Sequence, residues 1–458
     1  MKALMVQGAS SWAGKSLLVT ALARLVVRRG VSVAPFKGQN MSNNARVVAG
    51  GEIGVAQYLQ ALAARVEPDV RMNPVLVKPE GDQRSQVVVL GRPDLELSRQ
   101  PWRRRPEKLW PPIERSLRSL AAEHDLLLIE GAGSPAEINL HATDLANMRV
   151  ARLAGAAVLI VADIERGGAF AHLYGTWALL EPADRVLVRG FVLNKFRGDA
   201  SLLHPGPELL RRRTGVPVVA VVPRIEHALP DEDGAAAPAR SPGRPKVAVV
   251  RYPTASNLDE FKALEQVADV VWAQSAADLT GAALVVLPGS KHVAADLAWL
   301  RDRGLDRALG GCGAVLGICG GLQMLGERID DPAGVDGAGD GLGLLPVRTA
   351  FAAAKTTRRT TARFARLSTP WAALSGLEVS GYEIRHGATT GAAVLGDGLA
   401  FAAGRALGVY LHGLFEQPSF VEALLGTAPE RALDDDLDRL ADAVAPHVDV
   451  DRLLELVG

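Results

Sequence analysis

The sequence predicts two consecutive α/β domains, each built on a mainly parallel sheet covered by helices. Three observations lead there. Short Val/Leu/Ile runs alternate with helix-like segments and carry few polar positions, as strands buried on both faces do. A stretch without periodicity, rich in Asp, Ala, Pro and Gly, interrupts the series at 231–245. A second series of the same kind starts at residue 246. With 458 residues, 48% of them hydrophobic, the chain is long enough for two cores.

The elements follow in order. A strand is expected over 2–6, a helix over 16–29 and a second strand over 31–35. Nearly all-apolar runs at 125–130, 158–162, 190–193 and 218–222 complete a first sheet. After the break, strands are expected at 246–250, near 270, at 284–287 and at 314–318, with a helix near 258–267. Residues 331–343 read as a Gly/Asp-rich loop, and about 419–458 as helical. The resulting division is 1–235, a linker at 236–245, a second domain at 246–425 and a helical tail at 426–458.

Composition excludes several classes of function. Lys+Arg and Asp+Glu number 51 each. No global basic field exists, which argues against nonspecific nucleic-acid or membrane-surface binding. Two cysteines rule out a disulfide scaffold and form no usual zinc set with the scattered histidines. No run approaches the roughly 18 apolar residues of a spanning helix, and the N-terminus does not read as a signal peptide. The expectation is a cytoplasmic protein.

Residues 8–16 read GASSWAGKS, between the first strand and the first long helix. Small residues let backbone N–H groups converge on an anion, the helix N-terminus adds its dipole, Lys15 reaches terminal phosphates and Ser16 offers a hydroxyl to Mg²⁺. Gly8, Ser10, Ser11, Gly14, Lys15 and Ser16 are thus candidates for ATP binding. The usual spacing asks for Gly where Ala9 stands, so this is a variant cradle. A Gly-Lys-Ser turn alone would often be an ordinary capped turn; the strand–loop–helix order favours phosphate. The apolar strand ending at Glu130, followed by Gly131-Ala132-Gly133, puts a carboxylate where it can reach the metal. Lys37, after the second strand, is a further anion contact.

In the second half, residues 314–326 read AVLGICGGLQMLG. A strand running directly into Cys319 and then Gly320-Gly321 is the pattern of a nucleophile elbow at a helix N-terminus. The N–H of Gly320 is a candidate oxyanion donor, and Gly289, in Pro288-Gly289-Ser290, a second. His412, at the end of an apolar segment, is the candidate base. The bland alternatives are a small buried thiol and a structural histidine. Cys312 lacks the elbow context and reads as structural. The position two after the histidine is Leu414; Glu416 is the nearest carboxylate.

A phosphate cradle joined to a Cys/His pair points to glutamine-dependent amide formation. VQGASSWAGKS, APFKGQNMSNN, MNPVLVKPEGD, EGAGSPAEINL, DIERGGAFAHLYGT, GFVLNKFRGD, LPGSKHVAADLAWLR, GICGGLQMLG, GYEIRHG and YLHGLFE together closely resemble the cobyric acid synthases, from about residue 1 to 420. These are glutamine-hydrolysing amidotransferases of cobalamin biosynthesis. The resemblance implies a P-loop, dethiobiotin-synthetase-like parallel-sheet domain followed by a class I-like glutamine amidotransferase α/β domain. It implies ATP- and glutamine-dependent amidation of the b, d, e and g carboxylates of adenosylcobyrinic acid a,c-diamide, with Mg²⁺. Cys319 then matches the nucleophile, His412 the base, Lys15, Ser16 and Lys37 the phosphate and metal groups, and Glu130 the acidic residue beside the metal.

Asn40, Asn43, Glu137 and Asn139 are candidates for the corrinoid, although Asn also suits plain turns. Neither nucleic acid nor membrane is implied; a homo-oligomer is compatible with the pattern. Trp12 stands where the family commonly has a small acidic residue. The stretch 48–52 is one residue short, which makes Glu52 the candidate to replace an acidic metal ligand. Arg385-His386 replaces the more usual His-Met. The alternatives are a cobyrinic acid a,c-diamide synthase or another amidotransferase of this class, and a P-loop ATPase whose output is binding.

Overall fold

The computed structural model describes residues 1–81, 84–230 and 241–458. Of the predicted linker, only 241–245 falls within them.

Six parallel strands make the first sheet, in the order Val218–Pro223, Val188–Phe196, Ala157–Asp163, Ala3–Gly8, Leu126–Glu130, Val33–Phe36. Ala3–Gly8 is buried along its whole length because it lies in the middle with helices on both faces. The chain leaves it through helix Lys15–Val27 towards one edge and later fills the other. The crevice beyond the carboxyl ends of Ala3–Gly8 and Leu126–Glu130 is therefore the place where such sheets bind ligands.

The second sheet runs Asp269–Ala273, Lys246–Val250, Leu284–Leu287, Val315–Ile318, Ala406–Val409, Ala400–Ala403, Ala393–Leu395. The first five strands are parallel; Ala400–Ala403 pairs antiparallel with Ala406–Val409, and Ala393–Leu395 antiparallel with Ala400–Ala403. The expected strands of both sheets are present, with ends moved by a few residues.

Three features were not predicted. Between the second and third strands of the first domain lie a hairpin, Ala45–Val48 with Gly51–Gly54, and a small four-stranded sheet holding Val75–Gly81. A long hairpin, Arg348–Arg363 with Glu378–Thr390, extends from the second domain. Its first strand is polar and largely exposed, so it lacks the buried alternation that marks a strand in sequence. The segment expected as a helix near 258–267 is a 3₁₀ helix, Leu258–Gln266.

The tail is helical as expected, at Pro418–Leu425, Leu433–Val444 and Val450–Glu455. It returns to the first domain. Leu437, Leu440, Ala441 and Val444 share a core with Leu18, Leu22 and Val26 of helix Lys15–Val27. Arg24, fully buried, meets Asp434 and Asp438, and Arg28 pairs with Asp438 at 2.6 Å and Asp442 at 2.5 Å.

Candidate functional site

The phosphate cradle forms where the first strand ends. A Cβ on Gly8 would lie 2.5 Å from Ser10 O and 2.8 Å from Lys15 Nζ. This close approach requires glycine at 8. Gly14 and Trp12 both adopt positive φ, and Trp12 is half exposed. Lys15 Nζ spans the loop, donating to Ser10 O at 3.4 Å and Gly133 O at 3.3 Å. Ser16 Oγ donates to Glu130 Oε1 at 2.9 Å, and Lys37 Nζ reaches the same oxygen at 2.8 Å. Ser16, Lys37 and Glu130, distant in sequence, thus meet at one point.

Sequence reasoning missed the residues that support this point. Gln60 Nε2 donates to Glu130 Oε2 at 2.5 Å. Asn194 Nδ2 donates to Ala13 O at 2.8 Å, and Lys195 Nζ to Trp12 O at 2.7 Å and Asp163 Oδ2 at 2.9 Å. The motif GFVLNKFRGD contains both 194 and 195, so it carried the signal without the assignment.

A cavity of about 1490 Å³ opens from the cradle. Lys15, Ser16, Lys37, Asn40, Asn43 and Glu137 line it, and so do Tyr252 and Leu258 from the other domain and Leu440 and Val444 from the tail. Asn43 Oδ1 is buried there without a hydrogen-bond donor among the described residues, which leaves it available to a ligand. Asn40 is held by its donation to Gln57 Oε1 at 3.0 Å. Asn139 is exposed and is not part of the lining.

Glu52 requires a correction. It does not approach the cradle. Its carboxylate is fully buried between Lys78 Nζ at 2.5 Å and Lys355 Nζ at 2.6 Å, the latter from the long hairpin. Burial raises its pKa, but Lys355 and Lys78 outweigh that and hold it well below the usual carboxylate range. Glu130 lines the cavity at the cradle and Glu52 does not, so the structure does not support Glu52 as a metal ligand.

The second centre forms at the end of strand Val315–Ile318. Cys319 has φ 51° and ψ −105°, an uncommon backbone state for a residue with a Cβ and the strain expected of an elbow. A Cβ on Gly320 would lie 2.8 Å from Ser290 N, so the loop holding Gly289 and Ser290 can approach only a glycine. Gly289 sits against the His412 ring: a Cβ there would come 3.1 Å from its Cε1. The predicted elbow, oxyanion glycines and histidine are therefore brought together. Cys312 is elsewhere, donating to Ala308 O at 3.4 Å, with its pKa raised by burial.

The carboxylate beside His412 is Glu260, not Glu416. Glu260 Oε1 lies 3.0 Å from His412 Nδ1, and Oε2 accepts from Gly413 N at 2.9 Å. Glu416 instead pairs with Arg46. Burial lowers the imidazole pKa, but Glu260 and the hydrogen bond to Cys319 overcome this and raise it to about 10. His412 is therefore held as imidazolium beside the Cys319 sulfur. Glu260 is 152 residues before His412, and no local pattern could have found it.

Among the described residues no helix is long and apolar enough to cross a membrane. Residues 4–233 match the CobQ/CobB/MinD/ParA nucleotide binding domain and residues 246–420 the CobB/CobQ-like glutamine amidotransferase domain. Over its full length the chain is 54% identical to the cobyric acid synthase of Polaromonas sp. strain JS666, covering 98% of that protein. It is 55% identical, again over its full length, to those of Polaromonas naphthalenivorans strain CJ2 and Variovorax paradoxus strain S110, covering 99% of each. A nucleotide-binding α/β domain, a Cys/His centre on a second α/β domain and full-length relatives of one kind agree: the chain belongs to the cobyric acid synthase family of amide-forming enzymes.

Proposed function

We propose that the protein transfers the amide nitrogen of glutamine to the b, d, e and g carboxylates of adenosylcobyrinic acid a,c-diamide, using one ATP for each amide formed. The observation that carries this reading is the pairing of two centres in one chain: a Cys319–His412–Glu260 arrangement and a phosphate cradle opening into a large cavity lined by both domains.

At the first centre a substrate carboxylate attacks the γ-phosphorus of ATP, giving an acyl phosphate and ADP. Lys15 and Lys37 offset charge on the transferred group. Ser16 and Glu130, with Oγ and Oε1 2.9 Å apart, are the hydroxyl and carboxylate that would hold Mg²⁺ beside the phosphates. Bound there, the ion would neutralise phosphate charge. At the second centre Cys319 Sγ attacks the glutamine carboxamide. His412 gives its proton to the departing ammonia, and water then cleaves the thioester to glutamate. Ammonia displaces phosphate from the acyl phosphate and leaves an amide.

Mass spectrometry of the corrinoid after incubation with ATP, Mg²⁺ and glutamine labelled at the amide nitrogen tests the proposal. Stepwise gain of four labelled nitrogens is expected. Glutamine hydrolysis without labelled corrinoid would overturn the assigned acceptor.

A further inference from the structure

Arg46 sits on Ala45–Val48 in the first domain, yet its charged neighbours all belong to the second. Its side chain is 3% exposed and its guanidinium lies 2.5 Å from Asp259 Oδ2. It also contacts the Tyr382 hydroxyl and Glu416, and lies 5.3 Å from the Tyr382 ring centroid. The Asp259 carboxylate is fully buried; burial, Glu260 and Glu416 raise its pKa to about 6, and Arg46 is the cation that opposes them.

Each of these partners leads to the Cys/His centre. Tyr382 stacks on His412 with centroids 5.4 Å apart and planes 21° from parallel, and the two exchange backbone hydrogen bonds at 3.2 and 2.9 Å. Asp259 directly precedes Glu260, the residue holding His412 Nδ1. Asn257 Nδ2 donates to Ala45 O at 2.9 Å and to the Tyr382 hydroxyl at 3.0 Å. Immediately before the first domain's strand, Asn44 Oδ1 accepts from Leu258 N at 3.2 Å, and Asn44 lines the cavity at the phosphate cradle.

We propose that Arg46 is a positioning residue for glutamine hydrolysis, supplied by the other domain: it holds Tyr382 and the segment 257–260 so that Glu260 and His412 stay aligned on Cys319. Glutamine is then used efficiently only while the segment 39–46 beside the acceptor cavity is docked. The inference rests on the amidotransferase reading above. Its physical basis is the cost of an unpaired buried charge. Without Arg46, Asp259 would have to gain a proton or draw in water next to Glu260, and either response moves the carboxylate that orients His412.

The test compares glutamine-driven with ammonium-driven amidation in Arg46→Met and Arg46→Lys. Arg46→Met should lower the glutamine-driven kcat about 10- to 100-fold, the scale of a misplaced catalytic group, with KM for glutamine little changed. The ammonium-driven rate should stay within about two-fold, which also reports a folded acceptor site. Arg46→Lys should recover part of the loss. If Arg46→Met does not fold, Tyr382→Phe, lacking only the hydroxyl that Arg46 and Asn257 hold, should show the same split at smaller size. Equal loss with both nitrogen sources, or loss with neither, overturns the proposal. A wild-type enzyme that cannot use glutamine at all would overturn the amidotransferase reading instead.

Discussion

The two centres of this molecule are assembled in different ways. The phosphate cradle is mostly local: Gly8 to Ser16 is one loop, and Lys37 and Glu130 join it from the ends of nearby strands in the same sheet. The Cys/His centre is dispersed. Cys319, His412 and Glu260 come from three separate segments, and Arg46 comes from another domain. A local centre is set mainly by backbone geometry, steadied by side chains of neighbouring elements such as Gln60 and Asn194. A dispersed one depends on how segments dock, and therefore on buried charges far from the reacting atoms.

The strongest way to break this comparison is to remove one group from each side. Lys15→Ala should abolish amidation with glutamine and with ammonium alike, a loss on the order of 10³-fold, because acyl phosphate formation precedes use of either nitrogen source. Cys319→Ala should abolish only the glutamine-driven reaction. The two nitrogen sources assayed side by side check both. If Cys319→Ala retained glutamine-driven amidation, the assignment of the nucleophile would be wrong.

A smaller effect sharpens the comparison within the dispersed centre. Glu260→Gln should lower glutamine-driven turnover about 10²-fold while sparing ammonium. It should also move the pH profile. Glu260 and Cys319 hold the His412 pKa raised to about 10 against burial. A neutral Gln removes one of those attractions, so the imidazolium loses its proton at lower pH and the basic limb of the glutamine-driven rate moves down. The stability sign follows from the same shift. A raised folded-state pKa stabilises fully below the unfolded value of about 6.5, and this is lost as pH rises through about 10. Melting curves at neutral and alkaline pH should therefore separate the variant from the wild type most clearly at neutral pH.

The same contrast explains what could be read from the sequence. Buried parallel strands and the elbow announce themselves as short apolar runs ending in small residues, so both sheets, GASSWAGKS and GICGGLQMLG were legible. Ser16 with Glu130 follows from strand order. Glu260 was not legible, because the residue expected to orient a histidine was sought beside it. Asp259 and Glu260 look like ordinary charges in the first turn of a surface helix; only docking against His412 and Arg46 buries them. The long hairpin was hidden for the opposite reason, since its strand Arg348–Arg363 buries little and so carries no apolar rhythm.

Glu52 shows how far the two kinds of argument diverge, and it carries the smallest expected change in activity. A shortened loop made it a substitute metal ligand; the structure places it between Lys78 and Lys355, where it joins the first domain to the hairpin of the second. The two readings differ in what Glu52→Gln should do. A lost metal ligand would raise the Mg²⁺ concentration needed for half-maximal amidation and leave the melting temperature nearly unchanged. A broken buried ion pair would leave Lys355 without its counter-charge and Lys78, whose pKa burial already lowers, ready to lose its proton, a destabilisation of up to about 5 kcal/mol. The geometry predicts the second pattern: a lower melting temperature, an unchanged Mg²⁺ requirement and, for the molecules that remain folded, amidation close to wild type with ammonium. Because Lys355 comes from the glutaminase domain, whatever activity is lost should appear first in the glutamine-driven reaction. Titrating Mg²⁺ against both nitrogen sources, alongside a melting curve, separates the two readings in one variant.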